Sequence, residues 1–390
     1  IRVLQIIGAL YFGGAEKVLA SLALGVDRSR FEMMVCCTRA FGPMSEAIEA
    51  AGIPLVLGGP QTRIQRYLGP LHLRKVIKRL QPDVIHTHAL PGAVDVGPLA
   101  WLRQTPRWIH TFHYGNYPYA DRRYMLAERV FVKRANLLVA VAEAQRQKLI
   151  EHHRLAPESI ITLHNGVRDN PFIDTPGVGA RKRAELGIAA DTPVIGTIAV
   201  LSEQKGVTWL LKAMTRVVRA VPRARLVVVG GGALEQALKE EAQALGLGDS
   251  VLFTGWRNDV GELLLAFDIW TMSSLWEAMP LALIEAMSAG RPIVATDVGD
   301  NGLIVGRGEV ARLVAPRDPD GLAAGLLDLL EHPAEARALG EQARQRFLER
   351  FTIARMVASY ERLYEAQAAG DDRVAAAHAD TQYDTRRSTP

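Results

Sequence analysis

The sequence predicts an α/β protein made of two doubly wound, Rossmann-like parallel-sheet domains in tandem. Three observations predict it. A chain of 390 residues exceeds what one ordinary core organises, which favours two domains of roughly 200 residues or fewer each. Short apolar runs alternate with helix-period segments, the pattern of strands whose crossover helices cover both faces of a parallel sheet. That alternation stops at a Pro/Gly-rich stretch, residues 171–179, and then starts again.

Taken in order, residues 2–7 read as a strand, followed by a turn carrying Gly8, Gly13 and Gly14 and a helix over about 15–24. Further strands are expected at 33–38, 54–57, 84–88, 108–113, 137–142 and 160–162, with helices between them. The second series opens with a strand at 193–199, a helix at 207–220 and a strand at 225–229 that runs into Gly230, Gly231 and Gly232. A helix at 234–245, strands at 250–254 and 268–272, a helix at 280–289 and a strand at 292–296 complete it. Residues 353–366 read as a long helix, and 370–390, without apolar periodicity, as a disordered tail. The resulting division is 1–172, 173–350, a terminal helix at 351–367 and a tail at 368–390. Sheets of this kind bind ligands in the crevice outside the carboxyl ends of their strands, so an inter-domain cleft is the expected site.

Composition excludes several classes. With 48% hydrophobic and 23% charged residues the chain is of ordinary globular type. No apolar run reaches the roughly 18 residues of a membrane span, and no charged-then-apolar leader is read. Cys36 and Cys37 are adjacent in a strand-like run, so they point to opposite faces and form neither a disulfide framework nor a metal pair, and a reducing cytoplasm is expected.

The net charge of +4 is unevenly divided, +9 over residues 1–170 and −5 over the remainder. Basic residues cluster at Arg63, Arg66, Arg74, Lys75, Lys78 and Arg79, and again at Arg122, Arg123, Arg129, Lys133 and Arg134. The plain reading is a solvated helix face. The sharper one is a peripheral contact with an anionic membrane or an anionic acceptor. Nucleic acid is not expected, because no binding motif or aromatic interleaving accompanies the basic runs.

The most specific local feature runs from Ser274 to Met287. Glu277 falls in the loop after a strand, Pro280 where a first helical turn tolerates it, and Glu285 inside the helix. The free amides of such a helix start favour a phosphate, so Met279, Pro280 and Leu281 with the two carboxylates can bracket a nucleotide diphosphate. A helix-start glutamate followed by an exposed helical glutamate is the bland alternative.

Here the chain resembles the family-4 retaining glycosyltransferases of GT-B fold. Their signature is two glutamates eight positions apart followed by Ala-Met, a small residue and Gly, matched by Glu277, Glu285, Ala286, Met287, Ser288, Ala289 and Gly290. Gly13-Gly14-Ala15-Glu16 looks like the family's glycine loop. Asp83 to His88, Asn165-Gly166-Val167, Lys205-Gly206 and Gly299-Asp300-Asn301 stand in family order.

The resemblance implies an acceptor-binding first domain and a nucleotide-sugar-binding second one. By it, Glu285 binds the ribose hydroxyls, Glu277 holds donor-sugar hydroxyls, and Lys205 neutralises the leaving diphosphate in place of a metal. His113 lies beside the donor sugar, and Gly13 and Gly14 allow close backbone approach. No cofactor is implied, the nucleotide sugar being a co-substrate of UDP or GDP type. The implied acceptor is a glycan or a lipid-linked molecule in polysaccharide or envelope glycan biosynthesis.

Two positions depart from the family. Val200 stands where an arginine is usual, and Arg257 is the candidate to compensate at the phosphate or to stack on the base; Ala278 replaces a usual glycine. His86 and His88 share a strand face and could make half a metal site, but no further ligand cluster completes it. The rival readings are a GT-B sugar-nucleotide epimerase or phosphorylase and a non-catalytic nucleotide-sugar-binding subunit. A nicotinamide dehydrogenase is also suggested by the paired domains, although the first glycine turn lacks Gly-x-Gly-x-x-Gly spacing.

Overall fold

The computed structural model describes residues 1–11, 13–58, 69–103, 105–115 and 122–371, without the side chains of 122–124. It divides into two compact units. The first is Ile1–Gly166 with Ile353–Pro390, and the second is Val167–Thr352. Where the sequence suggested breaks after residues 172 and 350, the chain passes between units after Gly166 and Thr352. The tail beyond Asp371 lies outside the described residues.

The first unit is a sheet of seven parallel strands: β1 (Arg2–Ala9), β2 (Glu32–Ala40), β3 (Leu55–Leu57), β4 (Val84–His88), β5 (Arg107–Phe112), β6 (Leu137–Ala140) and β7 (Ile160–Thr162). Its helices are α1 (Gly14–Gly25), α2 (Ser45–Ala50), α3 (Gly69–Leu80), α4 (Ala89–Trp101), α5 (Arg122–Phe131) and α6 (Glu143–His153). The strands lie in the order β3-β2-β1-β4-β5-β6-β7. The chain thus starts in the middle, moves outward, and returns to place β4 on the other side of β1. Strands of a parallel sheet are covered on both faces, which is why every residue of β4 is buried. Leu4, Ile6, Ile85, Trp108, Phe112 and Leu138 anchor the core.

The second unit holds β8 (Val194–Ile198), β9 (Arg225–Val229), β10 (Val251–Gly255), β11 (Ile269–Met272), β12 (Ile293–Thr296) and β13 (Arg312–Val314), in the order β10-β9-β8-β11-β12-β13. Around it run α7 (Val178–Glu185), α8 (Val207–Ala220), α9 (Glu235–Ala244), α10 (Val260–Ala266), α11 (Leu281–Ser288), α12 (Asn301–Ile304), α13 (Pro319–Glu331) and α14 (Pro333–Arg350). Helix α8 shows why these segments dock. Val207, Leu210, Leu211, Met214 and Val217 recur at helical spacing and are all buried. Gly196 of β8 is fixed by packing, since a Cβ there would lie 2.0 Å from the Phe267 ring. The Pro/Gly-rich stretch belongs to this unit, where the Asn170 amide just before it donates to the Gly261 carbonyl of α10 at 2.8 Å.

The last helix, α15 (Ile353–Ala368), returns to the first unit. Its Tyr360, Leu363 and Tyr364 are buried, and Tyr364 meets Phe31 edge to face. Glu361 accepts from the Asp27 amide at 2.7 Å, and Glu365 pairs with Arg30. Both units are therefore α/β folds with doubly wound parallel sheets. Each reverses direction at one place, between β1 and β4 and between β8 and β11, where the diverging loops leave a crevice.

Candidate active site

In the second unit the loops flanking the reversal are stitched together by the backbone. Lys205 ends a short turn, Glu203–Lys205, and Gly206 follows with φ +56. A Cβ on Gly206 would lie 2.2 Å from the Ser273 carbonyl, so a glycine lets this loop close against the end of β11. The Ser273 hydroxyl donates to the Lys205 carbonyl at 3.0 Å, and the Leu275 amide to the Gln204 carbonyl at 2.7 Å.

These contacts bring Lys205 to Glu277 across 72 residues of sequence. Lys205 Nζ donates to Glu277 Oε1 at 2.5 Å, and the Ser274 hydroxyl donates to the same oxygen at 2.8 Å. Gln204 Nε2 donates to Glu277 Oε2 at 3.1 Å and to the Trp276 carbonyl at 3.0 Å. Glu277 is only 7% exposed, a burial that an unpaired carboxylate would not tolerate. Gly299, at φ +58, passes so close that a Cβ would lie 2.3 Å from the Glu277 carbonyl. The Thr296 hydroxyl ties the Ser274 carbonyl at 2.7 Å.

Directly after this loop, Pro280 is the N-cap of α11, which starts at Leu281, one residue later than the sequence suggested. The first amides of α11 have no acceptor within the helix. Met279 and Pro280 are buried, Leu281 is half-buried, and Glu285 is half-buried one turn into the helix.

Two candidate cation positions look different. Val200 sits exposed in the loop after β8. Arg257 is held by carboxylates of its own unit, with Nε donating to Asp259 at 2.8 Å and a terminal nitrogen to both Asp259 and Glu185 at 2.5 Å. Lys182 joins the same pair of carboxylates, at 2.6 Å from Asp259 and 2.9 Å from Glu185. The Arg257 guanidinium beside Asp259 holds that carboxyl well below the usual carboxylate range.

In the first unit the reversal between β1 and β4 is lined by a glycine turn and a cluster of imidazoles, with Glu16 in the first turn of α1 and the exposed Arg39 near the end of β2. Gly13 caps α1 and Gly14 opens it; a Cβ on Gly13 would lie 2.3 Å from Glu16 Oε2, whereas nothing stands within 4 Å of one on Gly14. Burial pushes the Glu16 carboxyl up from its ordinary value. His88 ends β4 and His113 follows β5, and His88 Nδ1 lies 3.1 Å from His113 Nε2. His86 lies against His88 with ring centres 4.0 Å apart and ring planes tilted by 41°. Its Nδ1 bonds the Tyr364 hydroxyl and its Nε2 the Thr111 hydroxyl, both at 2.8 Å, while Tyr360 lies 3.2 Å from Thr111 Oγ1. His110 takes a separate partner, Thr87, at 2.8 Å, and Trp108 donates to that hydroxyl.

Burial pushes all four imidazoles down, His86 and His88 well below their ordinary value and His110 and His113 to about 3. They are neutral near pH 7. Among the described residues no group of three or more His, Cys, Asp or Glu side chains is arranged to hold a metal.

The arrangement thus brings Lys205 and Glu277 together and sets His88 against His113. Sequence reading named all four but missed the groups that orient them. Gln204 adjoins Lys205 and Ser274 opens the stretch that holds Glu277, so both roles could have been found that way. Tyr360 and Tyr364 sit four residues apart on the buried face of α15, which reads only as core.

Comparison with known proteins interprets this geometry. The family model for glycosyl transferases group 1 matches residues 179–346, and that for glycosyltransferase family 4 matches residues 12–170. The chain belongs to the group 1, family 4 glycosyltransferases. One relative of this glycosyltransferase is the Escherichia coli UDP-Gal:alpha-D-GlcNAc-diphosphoundecaprenol alpha-1,3-galactosyltransferase, 26% identical over 90% of this chain and 93% of that protein. Another is the Mycolicibacterium hassiacum MMP alpha-(1->4)-mannosyltransferase, 30% identical over 76% of this chain and 67% of that protein. Among solved structures, Anabaena Alr3699/HepE in complex with UDP superposes with a TM-score of 0.83 at 21% identity, over 94% of this chain and 100% of that one. The fold of this glycosyltransferase is GT-B.

Proposed function

We propose that this glycosyltransferase is a retaining enzyme that moves a sugar from a UDP or GDP sugar to a glycan or lipid-linked acceptor. The observation that carries the reading is the Lys205–Glu277 pair at the reversal of the second sheet, immediately before the free amides of α11. An ammonium has three donors, so Lys205 can keep Glu277 and still reach a diphosphate oxygen. The first amides of α11, from Leu281 onward, favour the same anion. Glu277 then accepts from sugar hydroxyls, and Glu285 accepts from the two ribose hydroxyls. Gly14 leaves open space at the start of α1. By the family resemblance His113 stands beside the donor sugar. We place Arg257 in the ion-pair network of its own unit rather than on the phosphate, because both of its carboxylate partners already engage it.

In this reading the bond from the anomeric carbon to the phosphate oxygen breaks as the bond to the acceptor oxygen forms on the same face. The acceptor's proton passes to the departing phosphate oxygen. The protein contributes charge stabilisation and positioning, and Lys205 with the helix amides does the work of a divalent cation. Related proteins fit this chemistry: one is named for UDP-Gal, and one structural neighbour holds UDP-glucose.

A thermal-shift screen of UDP, GDP and their sugars tests the donor class. A ligand at a hundred times its Kd stabilises the fold by about 3 kcal/mol, which shifts the melting temperature by several degrees. Transfer with the identified donor should give a product of unchanged anomeric configuration by NMR. Inversion would overturn retention, and an epimerised donor in the absence of acceptor would make the protein an epimerase.

Among the described residues no helix is long and apolar enough to cross a membrane. We propose instead a peripheral contact through the first unit, where α3, α4 and α5 pack side by side. Leu71, Trp101, Leu102 and Leu126 are exposed there among Lys75, Lys78, Arg79 and Arg129. Arg63 and Arg66 lie outside the described residues, as do the side chains of Arg122 and Arg123. Salt-sensitive sedimentation with anionic vesicles, absent with neutral ones, is the expected result.

A further inference from the structure

We propose that His88 is a positioning residue that fixes His113 as its Nδ1–H tautomer, so that His113 offers an N–H donor at the edge turned away from His88. The inference rests on the reading of His113 as the residue beside the donor sugar only for its functional consequence.

His88 Nδ1 and His113 Nε2 lie 3.1 Å apart, and two neutral imidazoles can share such a contact only if one nitrogen carries the proton and the other does not. Two proton arrangements satisfy it. In the first, His88 is protonated at Nδ1 and donates, so His113 Nε2 accepts and His113 carries its own proton on Nδ1. In the second, His113 Nε2 donates, and His88 carries its proton on Nε2.

The surroundings of His88 choose between them. His88 Nε2 is buried and has no hydrogen-bond partner among the described residues. The second arrangement would bury an N–H there without an acceptor, the form of orphaned polar group that folded proteins avoid most strongly. The first leaves only an unused lone pair. The ring cannot easily turn to escape, because the His86 ring lies tilted against it with centres 4.0 Å apart, and both nitrogens of His86 are themselves held, by Tyr364 and Thr111. Sheet residues and α15 therefore set the His88 ring, and His88 sets the proton on His113.

The consequence is chemical polarity. His113 is half-buried, and its edge away from His88 becomes a donor rather than an acceptor. A donor there suits a sugar oxygen presented as an acceptor and disfavours a group that must itself donate.

The test reads the tautomer directly. Two-bond 1H–15N correlation spectra of the ligand-free protein, with the ten histidines assigned by single substitutions, should show His113 protonated at Nδ1. His88→Asn keeps a donor near the Nδ1 position and should preserve both that signature and turnover within a few-fold. His88→Leu removes the donor, should convert His113 largely to Nε2–H, and should lower turnover about five- to tenfold, the value of one hydrogen bond. Melting curves establish that each variant is folded, and if His88→Leu is not, the wild-type spectrum and His88→Asn still decide. An Nε2-protonated His113 in the wild type, or a tautomer unchanged in His88→Leu, overturns the proposal. Absence of any sugar transfer would overturn the functional reading while leaving the tautomer assignment standing.

Discussion

The two sheet reversals share a topology and almost nothing else. That of the second unit is built from charge: an ammonium against a nearly buried carboxylate, with an amide and a hydroxyl completing the carboxylate's partners. That of the first unit is built around buried imidazoles, phenols and hydroxyls bonded to one another, with the charges of Glu16 and Arg39 near Tyr114 just beyond His113. The doubly wound sheet supplies only the crevice, and the residues at its mouth decide what it takes. A site rich in preorganised charge suits a nucleoside diphosphate. One that presents neutral donors and acceptors suits sugar hydroxyls.

The largest effect expected from this difference is acid sensitivity confined to the first unit. Burial lowers the pKa of His86, His88, His110 and His113, so below about pH 6.5 the unfolded chain binds protons that the folded one refuses. Their contribution to stability is therefore intact above pH 6.5. It is lost as the pH falls towards about 3, where folded His110 and His113 protonate. Each imidazole contributes up to about 1.4 kcal/mol per pH unit, several kcal/mol together between pH 6.5 and 5. Hydrogen exchange at pH 5 should show β4 and β5 losing protection before β8 and β11. Equal loss in both sheets would erase the distinction.

Next in size is Lys205→Ala. With the fold retained, turnover should drop about 10²- to 10³-fold, as for removal of one transition-state donor. Near-normal rates would show that the charge of the second unit is structural. The smallest expected effect sharpens the same point by addition. Val200→Arg, at an exposed position, should lower the donor KM by up to about tenfold, the value of one charge-assisted hydrogen bond. No change would mean that Lys205 and the α11 amides already satisfy the diphosphate.

Much of the fold was legible because strands buried on both faces appear as short, nearly continuous apolar runs between amphipathic helices. Residues 84–88 and 225–229 were read with the limits that β4 and β9 have. Arg312–Val314 was not read as a strand, since three residues give no period and its place comes only from pairing with β12. The site was legible as a set of residues and not as a set of pairs. Sequence reading coupled Glu277 to Glu285, eight positions away, whereas the partners that the structure places on Glu277 are Lys205, Gln204 and Ser274. His86 meets Tyr364 across 278 residues, a distance over which no local spacing carries information.

The return of α15 to the first unit has a consequence for how the protein comes into being. Val167–Thr352 is inserted, in chain terms, between β7 and the helix that covers His86. A ribosome delivers the second unit entire before it delivers Tyr360 and Tyr364. Synthesis from the amino terminus usually lets the leading domain fold first. In this chain the leading domain waits for the trailing one, its imidazoles unsealed until the last helix emerges.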